Sequence, residues 1–251
     1  VGAPEGSRVI VAATFTIHTI PEAFRFLWDD RSFVLAKVGE HLEISAEAIG
    51  IAMLLALPLG VWLGHIHRGS FLAINGSNLG RALPSLAVIS IGLPFLGIGH
   101  SVVVLALVVL AGPVILTNAY VAVDRVDEDV VEAARGMGLK PHQVLLQAEL
   151  PLALPLIFAG IRTAAVYVIA TATLAGVVGG GTLGDIIFNQ ATYFLSGVVG
   201  ATILVSALAF GADFAFAGIE RLLTPHGLRR EASLLHIPEE EPAPVLEAAA
   251  L

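Results

Sequence analysis

The chain is 251 residues long, with a formal net charge of -8, a mean hydropathy of +0.86, 56% hydrophobic residues and only 14% charged ones. Soluble domains carry about a quarter charged residues, and a soluble core could not hide this much apolar surface, so a soluble fold is excluded. The absence of cysteine excludes thiolate metal sites and leaves the redox compartment open.

Taken in chain order, residues 9–15 lack the length, flanks and cleavage pattern of a signal peptide. Residues 22–37 set Phe24, Leu27, Trp28 and Leu35 among charges, which suits an amphipathic helix lying on a membrane surface; a solvated lead-in is the competing reading. A spanning helix needs about 20 apolar residues because the bilayer core is about 30 Å thick. Five apolar runs follow, at 44–64, 82–97, 101–123, 152–178 and 197–218. The second is short and broken by Pro84 and Pro94, which fits a tilted span or a partly re-entrant segment.

The expected fold is therefore an all-α integral membrane bundle with about five transmembrane helices. A lead-in over 1–38 precedes one membrane domain over 39–225, and the acidic, proline-bearing stretch at 226–251 reads as a disordered tail. No internal repeat is evident, which counts against transporter folds built from duplicated halves.

Orientation follows the placement of Lys and Arg near span ends. With the N-terminus outside, the inner side receives Arg68, Arg81, Arg125, Arg135, Lys140, Arg221, Arg229 and Arg230. The two outer loops hold neither Lys nor Arg, while Arg8, Arg25, Arg31 and Lys37 in the lead-in form an opposing minority. The expected topology is multi-pass with the C-terminus cytoplasmic.

Several polar residues interrupt the apolar runs. His65 and His67, two apart at a span end, read as interfacial residues and not as a metal pair, and no metal site is expected. Glu43 and Glu47 lie one turn apart near the outer end of the first run, facing the interface or a water-filled vestibule. Arg162 and Asp213 fall inside the fourth and fifth runs, where an unpaired charge costs about 2.5 kcal/mol or more, so a structural ion pair is expected, with a substrate or proton role as the alternative. Ser85, Asn118, Thr163, Tyr167 and Thr171 are candidates for lining a translocation path; hydrogen bonding between helices is the other use for such groups, as it is for Thr173. Gly60 with Gly64 and Gly176 with Gly180 have the spacing that lets helices approach closely. Gly179 to Gly184 matches a dinucleotide fingerprint by letters but follows a membrane span instead of a strand. A tight outer turn with Asp185 capping the next helix is expected there, with lining of an outer gate as a second role.

The most informative segment is the polar loop at 124–151, too long for a simple hairpin between helices. Asp127 suits an N-cap, Glu128 and Asp129 favour the positive end of a helix dipole, and Val130, Val131 and Ala134 supply an apolar stripe. Gly136 and Gly138 end that helix, and Lys140-Pro141 begins another carrying Val144, Leu145 and Ala148. Helix, glycine turn, helix is a form suited to docking in a partner's groove.

Glu132-Ala133-Ala134, then Gly138 after three intervening residues, then Leu150-Pro151, resemble the EAA loop of ATP-binding-cassette (ABC) importer permeases; Ala148 stands where the pattern prefers Ile. The resemblance implies that Glu132, Ala133, Ala134 and Gly138 form a coupling helix inserted in the ATP-hydrolysing subunit, with small alanines permitting close approach. It extends through Leu83-Pro84-Ser85-Leu86-Ala87, Glu149-Leu150-Pro151-Leu152-Ala153-Leu154-Pro155, Ala159-Gly160-Ile161-Arg162-Thr163-Ala164 and Leu222-Leu223-Thr224-Pro225 to the osmoprotectant branch. That branch imports glycine betaine, choline, carnitine or proline.

The resemblance further implies a type I importer fold like that of methionine permeases, no bond chemistry on this chain, ATP and Mg on separate ATPase subunits, an extracytoplasmic substrate-binding protein and a second permease chain in a homo- or heterodimer. No nucleic-acid partner is expected. The scarcity of Trp and Tyr, two and three, agrees with substrate recognition on another subunit, since a quaternary ammonium is held in an aromatic cage. The alternatives are an ABC permease for another small solute such as an amino acid, an ion-coupled secondary transporter or channel, and, third, a membrane-bound enzyme, for which no catalytic constellation clusters at one depth.

Overall fold

The computed structural model describes residues 18–71, 75, 76, 78 and 83–223. The segment at 9–15, the cations Arg8, Arg81, Arg229 and Arg230, the residues Thr224 and Pro225, and the tail at 226–251 lie outside them. All regular structure among the described residues is helical, as a bilayer demands of a chain whose backbone groups must be satisfied without water.

The lead-in is two helices and not one. α1 (Thr19–Asp29) ends at Asp30, and α2 (Arg31–His65) begins at once and runs through the first apolar stretch. At 1.5 Å per residue its 35 residues span about 52 Å, well beyond a bilayer core of about 30 Å. The surplus is the charged N-terminal part holding Arg31, Lys37, Glu40, Glu43 and Glu47. α1 is neither a solvated lead-in nor a helix resting only on lipid. Its Ala23 is buried, a Cβ at Gly200 would meet Leu27 Cγ at 3.2 Å, and Tyr193 takes Phe26 edge-on and Phe33 as a stacked ring. Phe24 and Trp28 remain exposed on the other side.

The remaining apolar runs become α3 (Ser85–Leu96), α4 (His100–Asp124), α7 (Leu150–Thr171) and α9 (Gln190–Leu223). Between α4 and α7 lie α5 (Glu128–Gly136), the single turn α6 (Pro141–Val144) and a π turn (Leu145–Glu149). A 3-10 segment (Ala172–Val178) and the short α8 (Gly184–Ile187) separate α7 from α9. Among the described residues four helical stretches are long and apolar enough to cross a membrane, and α3 is a shorter apolar helix. Its 12 described residues give about 18 Å, less than the bilayer core of about 30 Å. α9 starts before the expected 197 and is kinked at Phe194, whose φ of 55° lies in the left-handed region a Phe rarely adopts.

Lipid chains are as apolar as leucine, so helices in a membrane associate by close packing and not by escape from water. The bundle follows that rule. Ala48, Ala52 and Ala56 of α2 meet Ala106, Ala111 and Val114 of α4, while Ala164, Ala165 and Val168 of α7 close the other side of the same core. α4 is central, packing on α2, α3 and α7. Two close approaches between helices fall at glycines of α2. A Cβ at Gly60 would stand 2.6 Å from the Leu116 carbonyl oxygen, and one at Gly64 would stand 2.7 Å from that of Tyr120. The Gly60/Gly64 spacing thus forms a seam within the chain. Gly39 and Gly50, in the same helix, have open space where a Cβ would sit.

At the far end of α7, where the helix tightens into the 3-10 segment and carbonyls lose their partners, side chains supply replacements. His41 is fully buried with Nε2 2.9 Å from the Ile169 carbonyl oxygen, and the Thr182 hydroxyl donates to the Ala172 carbonyl. The glycine run is a tight turn, with Gly179 and Gly181 at φ 67° and 78°. Asp185 does not cap α8: its carboxylate pairs with Lys37 at 2.9 Å, and the Thr182 hydroxyl accepts the Gly184 N–H instead. Lys37 also bonds Glu40 and the Gly181 carbonyl, which ties the glycine turn to α2.

Overpacking a tight seam costs about 1–3 kcal/mol. Gly60→Val and Gly64→Val should therefore each lower the thermal midpoint of the detergent-solubilised protein, whereas Gly50→Ala should leave it level or raise it; equal midpoints for all three would contradict this packing.

Candidate functional site

α5 begins where Asp127 Oδ1 accepts the Asp129 N–H at 2.9 Å, with Glu128 and Asp129 in the first turn and Arg135 in the last, matching the helix dipole at both ends. Met137 caps it and Gly138, at φ 85°, makes the left-handed step that turns the chain. Gly136 is the last helical residue and the reversal falls on Gly138 alone.

Of the expected apolar stripe, Val131 and Ala134 are buried, packed on Val144 with Val126, Leu139 and Ala148 around them. Val130 points outward. The Glu132-Ala133-Ala134 triplet is therefore split: Glu132 and Ala133 face out, and Ala134 belongs to the loop's own core. Ala133 is the exposed alanine of the two, and both border an open groove of about 490 Å³ lined also by Val130, Met137, Leu139, Gln147 and Ala148. An isoleucine at 148 would fill part of that groove, so the departure from the family pattern has a local consequence.

The second helix of the loop starts at Pro141 as expected, with the Lys140 N–H donating to Gln143 Oε1 at 2.8 Å. It does not end before the span. It passes through the π turn directly into α7, so Leu150 and Pro151, both half-buried, are the first residues of the membrane helix. α5 thus hangs on a rod continuous with α7.

Arg162 of α7 and Asp213 of α9 meet, Nε to Oδ1, at 2.8 Å, both half-exposed. Asn118 donates to the Val114 carbonyl and presses against Gly160, where a Cβ would stand 2.3 Å from the Asn118 Cβ, so it sits at the α4–α7 crossing. Thr163 donates to Ala159 and is exposed, as is Tyr167 one turn on. Thr171 and Ser85 are half-buried at the ends of α7 and α3, and Thr173 bonds Ala170 in its own turn. His65 and His67 diverge: His65 contacts Glu149 at 2.6 Å and His67 contacts Asp124 at 3.0 Å. Glu47 pairs with His100.

Residues 48–225 match the family described as binding-protein-dependent transport system inner membrane component. The chain belongs to this family. It is 38% identical over 205 residues to the glycine betaine/carnitine/choline transport system permease protein OpuCB of Bacillus subtilis (strain 168), covering 81% of this chain and 94% of the relative. It is 36% identical over 205 residues to the carnitine transport permease protein OpuCB of Listeria monocytogenes, covering 81% and 94%. In fold it is similar to the inward-facing MetNI methionine ABC transporter, with a TM-score of 0.68 at 22% identity over 78% of this chain and 98% of that one. The permease is thus a multi-pass membrane subunit with a methionine-transporter-like fold, not an enzyme. Membership implies ATPase and substrate-binding partners, with ATP hydrolysis on separate subunits.

The His65–Glu149 contact was invisible to sequence reasoning. The two residues lie 84 positions apart, and Glu149 stands at the polar edge of an apolar run where an exposed carboxylate is ordinary. Its 1% exposure is decided by the π turn.

Removing one partner of the Arg162–Asp213 pair leaves a charge among apolar helices. Arg162→Ala and Asp213→Ala should each cost about 1–2 kcal/mol of stability, softened by partial exposure. The swap Arg162→Asp with Asp213→Arg should restore the thermal midpoint; a swap as unstable as both single variants would speak against a structural pair.

Proposed function

We propose that this permease imports a compatible solute of the glycine betaine, choline, carnitine or proline type across a bacterial or archaeal cell membrane, as one chain of a homo- or heterodimer. What carries the transport mechanism is the loop geometry: a nine-residue helix held from within by Val131 and Ala134, offering Glu132, Ala133 and an apolar groove outward, on a rod continuous with a membrane span. That is the form of a docking helix for an ATPase subunit, where ATP and Mg would be bound. Gly138 sets the exit angle, and Leu150 and Pro151 join the docking unit to α7.

The substrate class is supported by the relatives named as glycine betaine, choline and carnitine permeases, which the chain matches over most of its length. ATPase closure would shift the docking helices and exchange inward-open for outward-open arrangements, each stabilised by a different partner state. The exposed face of α7 bearing Thr163 and Tyr167 suits a path wall shared with a second chain, with Ser85 and Thr171 near its ends and Asn118 setting the α4–α7 spacing behind it. Arg162 with Asp213 would hold α7 on α9. The cations Arg68, Arg125, Arg135, Lys140 and Arg221 favour a cytoplasmic placement of the docking loop and the end of α9, hence an outer N-terminus.

Reconstitution in proteoliposomes with a cognate ATPase and a solute-binding protein should give ATP-dependent uptake of labelled glycine betaine. Glu132→Ala and Gly138→Asp should lower ATPase co-purification and uptake together, by about tenfold or more, since one alters the docking surface and the other strains the turn at positive φ. Uptake that follows an imposed ion gradient without ATP would overturn the importer reading; ATP-driven uptake of another solute alone would retire only the substrate class.

A further inference from the structure

The π turn at Leu145–Glu149 lies where the support of the docking helix joins the bundle. Its closing bond runs from the Leu150 N–H to the Leu145 carbonyl, five residues back instead of four. In an α-helix, residues five apart point about 140° away from one another, and the wider turn narrows that angle. Val144 and Glu149, five apart, are both buried here: one holds Val131 and Ala134 of α5, the other reaches into the bundle.

Glu149 Oε2 lies 2.6 Å from His65 Nδ1 in the last turn of α2, while Glu149 Oε1 is buried with no hydrogen-bond partner. A well-fitted apolar side chain would fill this place without leaving an orphaned oxygen. The contact therefore serves something other than filling space. His65 is next to Gly64, which is seated against Tyr120 and Val123 of α4. A displacement of His65 is passed to α2 and α4 as one body, because close-packed helices do not deform independently.

We propose that Glu149 and His65 form a strut that carries movement of the docking helix to the α2–α4 pair, alongside the covalent route into α7. They are positioning residues and touch no solute. The inference rests on the reading of α5 as the ATPase-docking helix. The second contact at this end of α2, His67 with Asp124, is exposed and bypasses the docking rod, so it carries none of the movement.

Two readouts test the strut in the assembled transporter. The chain has no cysteine, so spin labels can be placed by Glu128→Cys and Trp62→Cys, both at exposed positions outside the groove. A strut keeps the 62–128 distance narrow and the same with and without ATP, and Glu149→Leu or His65→Leu broadens it or makes it change with ATP. In uptake assays the same variants should retain bound ATPase but move about tenfold less glycine betaine per ATP hydrolysed, while Glu149→Gln, which keeps the hydrogen bond, stays within about twofold. His67→Gly, a residue suited to the φ of 49° there, should match wild type. If the single variants do not accumulate, the double variant His65→Leu with Glu149→Leu decides, since it leaves no orphaned group: uncoupling supports the strut and wild-type coupling overturns it. Wild-type distances and coupling in the leucine variants would also overturn it, as would loss of bound ATPase, which would assign the pair to the docking surface. Absence of glycine betaine uptake by wild type fails the substrate class, and the distance measurement still decides the strut.

Discussion

Contact between α2 and α4 through bare glycine backbone is the constraint on which the rest of the bundle depends. Hydrophobic sorting gives helices in lipid little reason to associate, so the bundle must be held by surfaces that fit. Gly60 and Gly64 bring α2 onto the carbonyls of Leu116 and Tyr120, and the alanines of α4 and α7 extend the same close fit across the core. Large apolar side chains such as Leu54, Leu55, Trp62 and Phe214 are left on the outside, where lipid or another chain receives them. α4 becomes the shared wall of the permease, and whatever moves α2 or α7 is felt there.

The loop between α4 and α7 is built differently. It has little apolar surface of its own, so its one small cluster of Val131, Ala134 and Val144 is just enough to fix α5 against the rod that leads into α7. Dipole-matched charges at both ends and the left-handed Gly138 supply the rest of its order. A helix held along one edge leaves Glu132, Ala133 and the adjoining groove open, and it is attached to a helical rod that continues into α7. That combination suits the docking role proposed for α5.

At the opposite end, Lys37 joins α2 to the glycine turn through Glu40, Asp185 and the Gly181 carbonyl, while His41 and Thr182 satisfy carbonyls freed as α7 tightens. α1 and the start of α2 close the side of α9 through Tyr193, which meets Phe26 of the one and Phe33 of the other. At this end polar side chains gather where regular helices stop, while alanine and glycine supply much of the close packing where helices cross.

The apolar runs, the polar loop and the order Asp127, Glu132, Gly138, Leu150-Pro151 are local features, and local features are what a sequence states directly: hydropathy over a span's length, cap chemistry, and a glycine where φ must be positive. From these the helical membrane class, the short polar helix α5 and the family resemblance could all be read, and Arg162 and Asp213 could be matched because isolated charges in apolar runs need partners. The break at Asp30, the docking of α1 on α9, the inward turn of Ala134 and the diversion of Asp185 from capping to Lys37 were decided only by tertiary packing. So was the meeting of His65 with Glu149. Each depends on which neighbour, distant in the chain, arrives at a given face, and a one-residue change in helical turn at 145–149 is enough to send a carboxylate inward where its sequence neighbours would leave it at the surface.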